Sequence, residues 1–230
     1  MITRATILPG DAASPVVLHV PYCPPMSTEF TPQALLDGSL DTVADRIAKN
    51  ARTQAARRPH VVLNRLPNYV EDAVPNAMTG ERRRGHTMLC GHHAATIPAD
   101  PYVTLVRRIV EERVAATTRV TVVEIRTAST PAATDDPRRI TVAVDPDLTP
   151  RSLADAASAA FAGYDVDETT EPATTWPVPS TCGDASAIEA IAIDIHTGAN
   201  TVIAPSAVVR LGRTFAALAD RLIDDGLREN

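Results

Sequence analysis

Val16-Val17-Leu18-His19-Val20 is a β-branched, apolar run around one histidine, stopped by Pro21 and followed by Pro24-Pro25. Proline cannot donate to a ladder and is kept out of central strands, so the run reads as a strand that enters a loop at its carboxyl end. Working outward, Leu40, Val43, Ala44, Ile47, Ala48 and Ala51 follow i, i+3, i+4 spacing and predict an amphipathic helix from Ser39 to Arg57, with Ser39 as its N-cap. His60-Val61-Val62-Leu63-Asn64 reads as a second strand. Asp100 and Pro101 open a helix to about Ala116, Arg119 to Ile125 gives a third strand, and Arg139 to Val144 a fourth. Thr149-Pro150 opens a helix through Phe161, closed by Gly163, and Tyr164-Asp165-Val166 starts the next extended segment. Ile188 to Ile195 reads as a buried strand and Pro205 to Leu227 as a final helix. Strands alternating with helices predict an α/β fold, a mixed, mainly parallel sheet covered by helices on both faces.

Composition bounds the rest. A chain of 230 residues with 44% hydrophobic and 22% charged residues is long enough for one sizeable core, and a single domain over residues 1–230 is expected. Aromatics are only 3%, so that core is built from Ala, Val, Ile and Leu. The net charge of -6, with both signs interleaved, offers no broad face for phosphates and excludes nucleic acid as the expected partner. The short run Arg82-Arg83-Arg84 reads as a solvated surface. Cys23, Cys90 and Cys182 are odd in number and far apart, which fits a reducing compartment. No apolar run reaches the length of a signal-peptide core or a membrane span, so the expected location is the cytoplasm, with no membrane partner.

In an open sheet, ligands sit beyond the carboxyl ends of the strands. The residues that matter are therefore His19 to Pro24, Asn64-Arg65, Glu124 to Thr127 and Asp194 to Thr197. Residues i and i+2 of a strand share a face, which pairs Glu124 with Arg126 and Asp194 with His196.

These strand ends have an order that resembles a known family. Val17-Leu18-His19-Val20-Pro21-Tyr22-Cys23 is similar to the "LHIPHS" opening of N-formylglutamate amidohydrolases, and Val43-Ala44-Asp45 to the "MTD" of the helix after it. Asn64-Arg65-Leu66 resembles "SRL", Val122 to Thr127 resembles "IIDCHS", and Thr141 to Pro150 the "D…TP" stretch. Ala160 to Val166 is similar to "FxxxGYxV" and Ile191 to His196 to the terminal "IEIN" strand. The resemblance runs from about residue 15 to 197 and implies a phosphorylase/hydrolase-like fold, shared with zinc carboxypeptidases. It also implies a family reaction, the hydrolysis of an N-acylated acidic amino acid with zinc polarising the amide and a carboxylate as general base.

The departures carry as much weight as the matches. Tyr22 stands where the family has the histidine of "PHS", and Arg126 where it has the histidine of "DCHS". Tyrosine is a poor zinc ligand and arginine is a permanent cation, so the resemblance implies that zinc is lost and no cofactor is expected. Glu124 and Asp194 keep carboxylates at the remaining polar positions and are the candidate catalytic residues, while Arg65 and Arg126 are the candidate substrate-binding residues. The family's "D.ER" becomes Tyr69, Glu71 and Asp72, which removes an arginine.

Two further sites are conceivable in this sequence. His86, Cys90, His92 and His93 lie close enough to form a relocated metal site, completed by His19, Asp45 or His196, although their spacing matches no standard zinc motif. Cys23 at a strand end would be a nucleophile if His19 or His196 lowered its pKa, against the plainer role of a small buried hydrophobe. Trp176, among prolines, reads as a packing residue. Two functions compete: an amidohydrolase with an altered centre, and a non-catalytic binding or regulatory protein that keeps the cleft for a small anionic ligand. Under either function Arg126 is expected to fill the vacated metal position and pair with Asp194, with Glu124 or Asp45 sharing its donors; the plainer alternative is that both side chains turn outward to water.

Overall fold

Every residue of Val16–Val20 and of His60–Asn64 is buried, as expected of strands covered on both faces. The computed structural model describes residues 5–21, 41–64, 101–129, 138–170, 187–197 and 203–228. The elements are β1 (Ala5–Leu8), β2 (Val16–Val20), α1 (Val43–Gln54), β3 (His60–Asn64), α2 (Pro101–Thr117), β4 (Val120–Ser129), β5 (Arg139–Val144), α3 (Arg151–Ala160), β6 (Asp165–Thr170), β7 (Ile188–Thr197) and α4 (Pro205–Arg228). They form one seven-stranded sheet in the order β1-β3-β2-β4-β7-β5-β6. The middle strands β3, β2, β4 and β7 are parallel, β1 is antiparallel to β3, β5 is antiparallel to β7, and β6 is parallel to β5. The fold is therefore α/β, with a mixed, mainly parallel sheet.

Alternation along the strands divides the core into two layers. Leu18, Leu63, Ile125, Ile191, Ile193 and Ile195 pack beneath α1, α3 and α4, with Phe161 and Phe215 edge-on to one another among them. Val17, Val62, Val122, Ala190 and Ala192 face the other way and meet Val106, Ile109 and Val110 of α2. A slip of one residue in any central strand would exchange the layers and carry the polar residues of the second face into the first.

The helix expected from Ser39 to Arg57 is shorter at both ends. Its N-cap is Thr42, whose hydroxyl accepts from the Asp45 amide at 3.1 Å while the Asp45 carboxylate accepts from the Thr42 amide at 2.9 Å. This reciprocal box satisfies two amides that a helix start otherwise leaves open, and Ser39 lies outside the described residues. At the other end Ala55 is extended, and the amides of Ala56 and Arg57 donate to the Asp220 carboxylate of α4 at 3.0 and 2.9 Å. The Arg58-Pro59 pair reinforces the stop, since a residue before proline is pushed out of the α region.

Other differences are local. Pro150 is the N-cap of α3 rather than its first helical residue, and Thr149 braces it by donating to the Ala190 carbonyl at 2.6 Å. β4 and β7 run on to Ser129 and Thr197, two to four residues past the expected ends, because they pair with each other over their whole length. β1 was not expected at all; it is four residues long and gains its place only by pairing with β3. Among the described residues no helix is long and apolar enough to cross a membrane.

Candidate functional site

The face of the sheet that meets α2 changes character along the strands. Its amino-terminal half is apolar, with Val17, Val62, Val120 and Val122. Its carboxyl half carries His19 on β2, Glu124 and Arg126 on β4, and Asp194 and His196 on β7, all in phase with those valines by the period of two. Register then sets them in rows. His19 is opposite Glu124, and Arg126 is opposite Asp194, which is in turn opposite Thr141 of β5.

The first row is a buried histidine-carboxylate pair. His19 Nδ1 lies 3.1 Å from Glu124 Oε2, and neither residue is more than 2% exposed. A carboxylate oxygen of this kind accepts, so Nδ1 carries the hydrogen and donates it, which fixes the ring in place. The second Glu124 oxygen, Oε1, is buried without a hydrogen-bond partner. It faces the Arg126 guanidinium, with 3.9 Å between Oε1 and Nη1.

The second row is a bidentate ion pair. Arg126 Nε donates to Asp194 Oδ1 at 2.7 Å and Nη2 to Oδ2 at 2.8 Å, a planar fork on a planar carboxylate. Arg126 is 3% exposed, so a guanidinium without such a partner would be costly there. The pairing expected from strand phase is thus present. The cluster grades outward from His19, fully buried, to Asp194, whose side chain is 21% exposed.

Beyond this row His196 Nε2 and Thr141 Oγ1 are 2.8 Å apart, and His196 Nδ1 is buried without a partner. Asn64 Nδ2 donates to the Pro21 carbonyl at 2.7 Å and fastens the exit of β2 to the end of β3. Asp45, the other residue expected to share the Arg126 donors, closes the capping box of its own helix α1. Tyr22, Cys23, Arg65, His86, Cys90, His92 and His93 lie outside the described residues. The bond between His19 and Glu124, and the place of Thr141 beside His196, escaped sequence reasoning. Both depend on which strands are neighbours, which no local pattern records.

In the described part of this centre both Asp194 oxygens accept from Arg126, and the open oxygen of Glu124 faces the same guanidinium, a fixed positive charge where a metal ion would have to sit. No group of three His, Cys, Asp or Glu side chains among the described residues is placed to hold one.

A different histidine is tuned at the opposite end of the sheet. His60 begins β3, and its Nδ1 accepts from the Gly10 amide at 3.1 Å, so that nitrogen carries no hydrogen. Nε2 then donates to the Asp11 carbonyl at 3.1 Å. Arg113 Nη1 is 3.3 Å from the same Nε2, but in this tautomer both are donors, and Nη1 is satisfied by the Ala12 carbonyl at 3.0 Å. Burial, and then the Arg113 charge, hold the His60 pKa below its ordinary value.

At the level of sequence, no family model matches the chain and no curated protein matches it. Solved structures do. The fold is similar to that of N-formylglutamate amidohydrolase from Ralstonia eutropha JMP134, with a TM-score of 0.61 and 15% identity over 100% of both chains. It is also similar to a gene product of Agrobacterium tumefaciens, with a TM-score of 0.55 and 17% identity over 98% of this chain and 95% of that one. At such identities the likeness is one of fold: this chain has an architecture like that of an N-formylglutamate amidohydrolase.

Proposed function

We propose that this protein is an N-formylglutamate amidohydrolase-like protein whose centre no longer works through a metal, and that it binds a small molecule at the carboxyl ends of β2, β4 and β7. The observation that carries this reading is the Arg126–Asp194 pair, two hydrogen bonds of 2.7 and 2.8 Å within a row that includes Glu124. A guanidinium so held supplies the positive charge that these carboxylates require, so they need no metal. Asp194 and Glu124, candidates for catalysis by resemblance, then serve to hold Arg126 and to shape the site. Arg65 remains a candidate ligand contact by the resemblance alone.

The experiment is direct. Protein purified without chelator is assayed for zinc and incubated with N-formyl-L-glutamate, alone and with chelator. The expected result is substoichiometric zinc and no chelator-sensitive turnover. Stoichiometric zinc with turnover that chelation abolishes would overturn the reading. A second reading, a metal-independent hydrolase, draws on the His19–Glu124 pair, since an imidazole oriented by a carboxylate is the arrangement a general base uses. Turnover that chelator leaves untouched and His19→Gln abolishes would favour it.

A further inference from the structure

We infer that the site takes its ligand through an uncharged hydrogen-bond donor, an amide N–H or a hydroxyl, set on Oε1 of Glu124. The inference rests on the metal-free binding reading and names the class of ligand for that same site. Three of the four carboxylate oxygens in the two rows are already matched. Glu124 Oε2 has the His19 hydrogen, and both Asp194 oxygens have Arg126 donors. Glu124 Oε1 is buried with no hydrogen-bond partner, and it is an acceptor. A buried acceptor left open is costly, so what completes the site is a donor.

Charge decides which donor. A carboxylate ligand would meet Glu124 as a second anion, and the Arg126 edge that best recognises carboxylates, Nε with Nη2, is closed by Asp194. An ammonium would meet the guanidinium, because Nη1 stands 3.9 Å from Oε1. A neutral donor meets neither repulsion. The cluster also leads outward, from Glu124 at 3% side-chain exposure to Asp194 at 21%, which places the open oxygen one residue row inside the accessible edge. The anionic ligand expected from Arg65 and Arg126 gives way in this inference to a neutral one, because Asp194 already occupies the Arg126 fork.

The test uses the full chain and three probes of one shape: propionamide, propionate and propylammonium, titrated at matched ionic strength and followed by NMR. Propionamide is expected to bind roughly tenfold tighter than either ion, the worth of about one buried hydrogen bond. In Glu124→Gln, the Gln oxygen still accepts from His19 while its NH2 group faces the ligand, so the preference should turn toward propionate. Circular dichroism and thermal melting establish that this variant is folded, and Glu124→Asp, which withdraws the acceptor by one methylene, should weaken propionamide without favouring propionate. Preference for either ion by the natural chain overturns the inference. So does a propionamide advantage that survives Glu124→Gln, or the absence of binding by all three with only an ordered water on Oε1. Zinc measured on the same sample separates the outcomes. Substoichiometric zinc with no propionamide preference sinks the ligand class alone, whereas stoichiometric zinc sinks the reading on which it rests.

Discussion

Arg126 and Asp194 stand opposite each other in the β4–β7 register, and the guanidinium closes on the carboxylate through Nε and Nη2 at 2.7 and 2.8 Å. Two adjacent parallel strands thus carry opposite charges on the same face, at the edge where ligands of open α/β sheets bind. Removing one partner leaves the other buried or half-buried without compensation. Arg126→Ala should destabilise the fold by roughly 3–5 kcal/mol. Replacing both, as in Arg126→Met with Asp194→Leu, should recover much of that loss, because a buried pair exchanged for apolar groups is often near neutral. Urea unfolding of the three chains measures this, and a single variant within about 0.5 kcal/mol of the natural protein, the range of an ordinary surface change, would show the pair to be unimportant.

His60 makes stability depend on pH. Its folded pKa lies below the ordinary 6.5, chiefly through burial and then through Arg113, while the unfolded chain takes up its proton near that ordinary value. The unfolded state therefore binds more protons between the two values, and stability rises with pH there. The contribution is present above 6.5 and is lost as pH falls from 6.5 toward the folded value. His60→Asn keeps an acceptor near the Gly10 amide and cannot titrate, so it should flatten this part of the profile. An unchanged slope in the variant, from denaturant midpoints at a series of pH values, would assign the effect elsewhere.

Gly212 of α4 faces α1 at close range. A Cβ built there would lie 2.5 Å from the Cβ of Asn50, so the two helices approach as near as they do only because this position has no side chain. Alanine is favoured over glycine within a helix by about 1 kcal/mol, but the collision must move a helix backbone. Gly212→Ala should destabilise by about 1–3 kcal/mol, as overpacking does. A thermal midpoint equal to or above that of the natural chain would show that the helices separate without cost.

Thr42 begins α1 by closing a box with Asp45. Thr42→Ala removes the acceptor for the Asp45 amide and should cost about 1 kcal/mol, whereas Thr42→Ser should cost little. Equal stability of the alanine and serine variants in chemical denaturation would remove the cap from the account.

The sequence by itself determined the elements and their alternation. A run such as Val16 to Val20 or His60 to Asn64 can be buried on two faces only as a strand, and the spacing of Ala44, Ile47, Ala48 and Ala51 closes into a stripe only on a helix. Phase along a strand is equally local, so the sharing of one face by Glu124 and Arg126 was readable before any neighbour was known. Register and neighbours are not local. Which strand lies beside β4, that β1 adds itself to β3, that His19 meets Glu124 and that Thr42 rather than Ser39 caps α1 were settled by packing of segments far apart in the chain. The tertiary structure also supplied what phase alone cannot. The sequence allows Arg126 to pair with Asp194; in the sheet the β4–β7 register sets that carboxylate on the guanidinium fork and leaves an oxygen of Glu124 unsatisfied, because charge in a buried site is decided by the neighbours that topology supplies.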